Sequence, residues 1–181
     1  MKKVAIIGCV GIPANYGGFE TLAEQLALRL QNRFEITVYC SRKHFQDRPS
    51  KIQNIKLKYL PLKANGVQSI PYDMLSMLDA LFYADTMLIL GVSGCILLPL
   101  LRLLGCRKRI IVNIDGIEWR RAKWSGLAKK FLQFSEKCAV KYADTVIGDN
   151  QVIADYVKQH YSRPCEMIEY GADNMTLEVD K

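Results

Sequence analysis

Between positions 115 and 124 the chain reads Asp115-Gly116-Ile117-Glu118-Trp119-Arg120-Arg121-Ala122-Lys123-Trp124, which sets two carboxylates, two indoles and three cations side by side. Indoles cover the apolar faces of sugar rings, guanidinium and ammonium groups hold phosphates, and a carboxylate can accept a hydroxyl proton. Such a set suits a site that meets a sugar and an anion together. The plainer reading is a solvated basic loop whose tryptophans pin it to the domain.

A second chemically suggestive stretch opens the chain. Val4-Ala5-Ile6-Ile7 leads into glycines at 8, 11, 17 and 18 and then into residues 21–30, where Leu22, Leu26, Ala27 and Leu30 recur at helical spacing. The pattern predicts strand, glycine-rich loop, helix. Such a loop lets backbone approach a ligand, and the first free N–H groups of the helix favour a phosphate. An ordinary strand-to-helix loop is the alternative. The spacing is not the dinucleotide fingerprint G-x-G-x-x-G, and the second strand ends in Cys40-Ser41-Arg42 with no acidic residue for an NAD ribose. Arg42 by itself is a weak argument for an NADP phosphate.

The elements that would position these residues follow from hydrophobic period and turn residues. Strands are expected at 35–40, 55–60, 87–90, 109–114, 145–147 and 167–168, with Ile55, Leu57 and Tyr59 alternating against Lys56 and Lys58 as near a sheet edge. Helices are expected from Ser69-Ile70-Pro71, with a buried stripe of Met74, Leu75, Leu78 and Leu81, and over 96–104, 127–142 and 152–160, the last capped by Asn150. The uncharged run 86–101 is shorter than the ~20 residues a membrane span needs and is broken by Gly91, Gly94 and Pro99. It reads as strand, glycine-rich tip and helix. Alternating strands and helices predict a parallel sheet with helices on both faces, whose ligands bind at the carboxyl ends of the strands. The tips 8–18, 91–94 and 115–124 then converge on one crevice.

The chain has 181 residues, half of them hydrophobic, and a formal charge of +7, so it should fold around a sizeable core and meet an anionic partner. Nucleic acid is disfavoured, since no RNA-binding aromatic signature, basic tail or zinc-finger spacing accompanies the charge. Six scattered cysteines without a C-x-x-C pair read as free buried thiols, and neither histidine has a ligand-like partner, so no metal is expected. Met1-Lys2-Lys3 runs straight into a strand without a signal-peptide cleavage site, which predicts a cytoplasmic protein. Lys and Arg crowd residues 102–141 among Trp119, Trp124, Leu127, Phe131 and Phe134; this could be a membrane-facing surface, although the helical spacing of Leu127, Phe131 and Phe134 reads first as core.

Val4-Ala5-Ile6-Ile7-Gly8, the run 11–21 from Gly11 through Asn15, Tyr16, Gly17 and Gly18 to Thr21, the segment Leu90-Gly91-Val92-Ser93-Gly94 and the segment 115–124 together resemble the N-terminal domain of bacterial family 4 glycosyltransferases. The nearest branch is the rhamnosyltransferase-like group of polysaccharide biosynthesis, whose domain was once labelled as of unknown function. The resemblance implies a Rossmann-like half, residues 1–170, of a two-domain GT-B enzyme. Residues 171–181 would begin the linker to a donor-binding C-terminal domain or subunit. It implies a retaining transferase that takes a nucleotide-sugar donor, such as dTDP-rhamnose, without a further cofactor; a lipid-linked sugar acceptor would explain the basic, tryptophan-containing surface and its contact with an anionic membrane. Asp115 would face the reacting sugar, with Glu118 the rival carboxylate. Gly11, Asn15, Tyr16, Gly17, Gly18, Gly91, Ser93, Gly94, Trp119 and Arg120 would line the substrates. Without its donor half such a chain would be inactive. A module that binds a sugar or lipid phosphate or a partner subunit, and catalyses nothing, is the alternative.

Overall fold

The computed structural model describes residues 1–15, 17–114, 116, 119 and 126–171. Strand and helix alternate: β1 (Lys3–Ile7), α1 (Gly18–Leu30), β2 (Glu35–Ser41), β3 (Lys51–Ile52), β4 (Ile55–Leu60), α2 (Ser69–Ala80), β5 (Thr86–Leu90), α3 (Leu98–Leu103), β6 (Arg109–Ile114), α4 (Gly126–Tyr142), β7 (Thr145–Gly148), α5 (Gln151–Tyr161) and β8 (Glu166–Met167). The strands form one sheet in the order β3-β4-β2-β1-β5-β6-β7-β8. Every pairing is parallel except β3 against β4. The strand order steps outward in both directions from the β1–β5 pair, which is the topology of a Rossmann-like sheet, a fold whose ligands bind at that switch point.

Period-two alternation sends side chains to two cores. On one face Ile6, Ile36, Val38 and Ile55 pack with Ala23 and Ala27 of α1; on the other Ala5, Ile7, Met87, Ile89, Val112 and Val146 pack with residues of α2 to α5. Both faces therefore carry helices, as the sequence predicts. Asn150 caps α5 as expected, its side chain accepting the Ile153 N–H at 3.0 Å.

Four expectations need correction. In α2 the buried side is Tyr72, Asp73, Ser76, Met77 and Ala80, while Leu75 and Leu78 face outward, because the helix is held by hydrogen bonds as well as by apolar contact. The Tyr72 hydroxyl donates to the carbonyl of Cys9 at 3.1 Å, and the Ser76 hydroxyl to that of Tyr72 at 2.8 Å. The helix over 96–104 is instead a 3₁₀ turn, Cys95–Leu97, followed by the six-residue α3. On α4, Leu127 is 84 % and Phe134 53 % exposed, so the stripe read as core faces outward. The helix packs through Leu132, Ser135, Glu136, Cys138, Ala139 and Val140 instead. Of the six free cysteines only Cys9, Cys40, Cys95 and Cys138 are buried; Cys106 and Cys165 are partly exposed.

Candidate functional site

β1, β5 and β6 are neighbours in the sheet, so the loops that follow them share one edge. The first loop starts at Gly8, whose φ of +96° and tight seat leave no room for a side chain: a Cβ there would stand 2.1 Å from the Leu90 carbonyl oxygen. Gly91, at φ +87°, turns the chain out of β5, and its N–H donates to the carbonyl of Asn113 in β6 at 2.9 Å. A Cβ on Gly91 would touch the ring of Phe19 at 3.4 Å, which brings the start of α1 beside the second tip.

Both glycine tips, after β1 and after β5, are held from beneath by buried polar side chains. Glu20, in the first turn of α1, turns its carboxylate inward to accept the Val10 N–H at 2.7 Å. That bond ties the glycine loop to its own helix. Asp73 of α2 is 2 % exposed and lies under Gly94, with the Gly94 N–H bonded to its carboxyl and its Oδ1 without a partner among the described residues. Burial pushes its pKa well above the usual carboxylate range, and the Gly94 N–H offsets this only in part. From α4, the Ser135 hydroxyl donates to the carbonyl of Val92 and receives the N–H of Ile96 at 3.0 Å.

The expected site residues fall into four groups. Asn15, Gly17, Gly18, Gly91 and Ser93 reach the surface at this edge. Gly17 is the extended N-cap of α1, no side chain among the described residues caps that helix, and a Cβ on Gly18 would meet nothing within 4 Å. The first N–H groups of α1 are thus open to a ligand. Gly11 and Gly94 are buried, and packing accounts for both: a Cβ on Gly11 would stand 2.6 Å from Cys40 Sγ, and one on Gly94 2.4 Å from Asp73 Cβ. Trp119 is half-buried against the α4–α5 side of the core, its indole N–H directed at Glu136 and Tyr156. Tyr16, Asp115, Glu118 and Arg120 lie outside the described residues.

The chemistry available among the described residues is binding and orientation. The thiols nearest the tips are poor nucleophiles, because burial drives those of Cys9 and Cys95 well up and that of Cys40 to about 11. No group of three or more metal-ligating side chains occurs among the described residues. Glu20, Asp73 and Ser135 were missed by sequence reasoning. Only Glu20 left a signal, as an acidic residue in the first turn after a glycine N-cap.

Among solved structures, the chain is similar to the sucrose-phosphate synthase of Thermosynechococcus elongatus, with a TM-score of 0.73 and 14 % identity over 94 % of this chain and 48 % of that one. A second, shorter structure of that synthase matches with a TM-score of 0.64 and 14 % identity, over 96 % of this chain and 91 % of the other. The chain thus spans about half of the first of these structures. At this identity the likeness shows a shared Rossmann-like α/β fold and nothing more. No curated protein sequence matches the chain. Over residues 1–173 it matches, and belongs to, the family described as a domain of unknown function, DUF1972.

Proposed function

We propose that this chain is the acceptor-side half of a retaining, rhamnosyltransferase-like glycosyltransferase of surface-polysaccharide assembly. The observation that carries this reading is the sheet edge at β1, β5 and β6, where positive-φ glycines meet the uncapped start of α1 and the surface at Gly18 is open. The glycosyltransferase-like fold supports it.

In this reading Gly17, Gly18 and the first N–H groups of α1 face the pyrophosphate of a nucleotide-sugar donor such as dTDP-rhamnose. Oriented backbone donors and the positive helix end stabilise that charge. Asp115 follows β6 directly in the chain and holds the acceptor hydroxyl in line with the anomeric carbon, while the donor phosphate takes the proton; Glu118 is the rival for that role. Asn15, Tyr16, Ser93 and Arg120 contact the substrates from the surrounding tips. Base and sugar recognition come from a donor-binding half joined to this one or supplied as a subunit.

The acceptor is lipid-linked, and the domain works peripherally on the cytoplasmic face of the plasma membrane. Leu127, Lys130, Phe134, Lys137 and Lys141 recur at one-face spacing on α4 and are all exposed, a mixture of apolar and cationic groups suited to an anionic bilayer surface. No helix among the described residues is long and apolar enough to cross a membrane.

Release of nucleoside diphosphate from a panel of sugar donors tests the proposal, with lipid-linked acceptors and either this chain alone or the chain together with a donor-binding half. Turnover should require both halves. Steady turnover by the 181-residue chain alone, or none with both halves and every donor, would sink it.

A further inference from the structure

We propose that Glu136 is a positioning residue: its carboxylate fixes the plane of the Trp119 indole, one of the side chains read as lining the substrates. The role rests on reading the segment after β6 as part of the acceptor site.

Glu136 lies in the middle of α4 and is 0 % exposed. Its Oε1 accepts the hydroxyls of Tyr156 and Tyr161, each at 2.6 Å, and the indole N–H of Trp119 at 3.4 Å. The same indole N–H also reaches the Tyr156 hydroxyl oxygen at 3.3 Å. Oε2 is buried and has no hydrogen-bond partner among the described residues. Burial, and then the bond to Glu136, push both phenols above their ordinary range, so both remain O–H donors.

A buried carboxylate is a poor way merely to hold a helix against a core, because an apolar residue of similar volume does so as well or better. What it adds is direction. One oxygen collects donors from the connection between β6 and α4 and from two points on α5, and the two phenol rings meet edge to face at 87°. With its N–H fixed there and the Lys129 ammonium 5.4 Å from its ring centroid, the indole has one settled plane. A misplacement of about 1 Å at a group that meets a substrate can cost roughly a hundredfold in rate.

The chain has two tryptophans, so a Trp124→Phe background leaves Trp119 as the single reporter. In it, Glu136→Leu keeps volume and removes the acceptor, whereas Glu136→Gln keeps an acceptor oxygen. Acrylamide quenching of Trp119 is measured on both, with melting followed by circular dichroism. The leucine variant should fold, quench about threefold more steeply and emit at longer wavelength, and the glutamine variant should stay close to the parent. Unchanged quenching in a folded leucine variant, or equal change in both variants, would overturn the proposal. So would a leucine variant that cannot fold beside a glutamine variant that does, since Glu136 would then serve the fold. The readout needs no sugar: failure of the transferase reading would show as absent turnover with both halves and leave this result untouched.

Discussion

The Ser135 side chain on α4 donates its hydroxyl hydrogen to the carbonyl of Val92, 2.6 Å away, in the tip that follows β5. Its oxygen also receives the Ile96 N–H, so one hydroxyl satisfies two backbone groups of the turn into α3. Ser135→Ala would leave both groups dry and unpaired. It should lower stability by about 1–3 kcal/mol, read as a shift of the urea midpoint at unchanged slope. A loss within error would mean that water replaces the hydroxyl.

Gly8 and Gly18 should respond oppositely to a methyl group. At Gly8 the φ of +96° and the Leu90 carbonyl forbid it, and Gly8→Ala should destabilise by about 3 kcal/mol or more. Gly18→Ala meets nothing within 4 Å and should leave the melting temperature within about the 0.5 kcal/mol equivalent expected of surface changes. In a complete two-half enzyme, Gly18→Val should nonetheless raise the donor KM, because its side chain would enter the space assigned to the pyrophosphate. Normal donor affinity with Gly18→Val would remove Gly18 from the site.

Asp73 predicts how stability varies with pH. Burial raises its folded pKa above the ordinary value of 3.8, so between that value and its folded pKa the folded chain holds a proton that the unfolded chain has released. Its contribution is therefore fully present below pH 4 and is lost as pH rises, with a slope of up to about 1.4 kcal/mol per unit. Asp79 and Asp144 are shifted downward by Lys58 with Tyr39 and by Arg102 with the Ile110 N–H respectively, and they contribute in the opposite sense only at acid pH. Asp73→Asn should flatten the decline that sets in as pH rises above 4. Parallel denaturation profiles for the two proteins would show that Asp73 does not titrate in this window.

Vesicle binding should follow the exposed face of α4. Co-sedimentation with anionic vesicles should exceed that with neutral ones and weaken as salt rises, and Leu127→Glu with Phe134→Glu should reduce it by about tenfold, the order of a lost 1.4 kcal/mol. Both side chains are already in water, so the double variant should melt normally. Binding that survives these changes would move the contact to another surface.

Asp115→Asn in a complete enzyme should lower the rate and weaken acceptor binding together, as expected of a group that orients a hydroxyl. If Glu118→Gln does so while Asp115→Asn keeps both values, the role belongs to Glu118.

The order of elements was legible because strand and helix leave separate periods. β6 was read at its full extent from Arg109 to Ile114, and the Asn150 cap from one side chain before a periodic run. The facing of the helices was less legible. α2 turns Leu75 and Leu78 outward because its buried side contains Asp73 and Ser76, polar residues whose partners are Gly94 and the carbonyl of Tyr72. α4 was misread for the same reason, since Ser135 and Glu136 occupy the buried positions that an apolar stripe would have taken. Their partners lie 43 and 17 to 25 residues away, beyond any local pattern. The convergence of the glycine tips needed only the strand order; what clamps them needed coordinates.

The two outermost strands, Lys51–Ile52 and Glu166–Met167, are each two residues long, and each begins with a charged side chain. A foreign backbone arriving at either border finds too short a ladder to extend, and a charge beside it. Protein this basic can therefore be concentrated, or crowded at a membrane surface, without its sheet acting as a template for fibrils. Self-association of such a chain is left to side-chain contacts, which salt and mutation can tune.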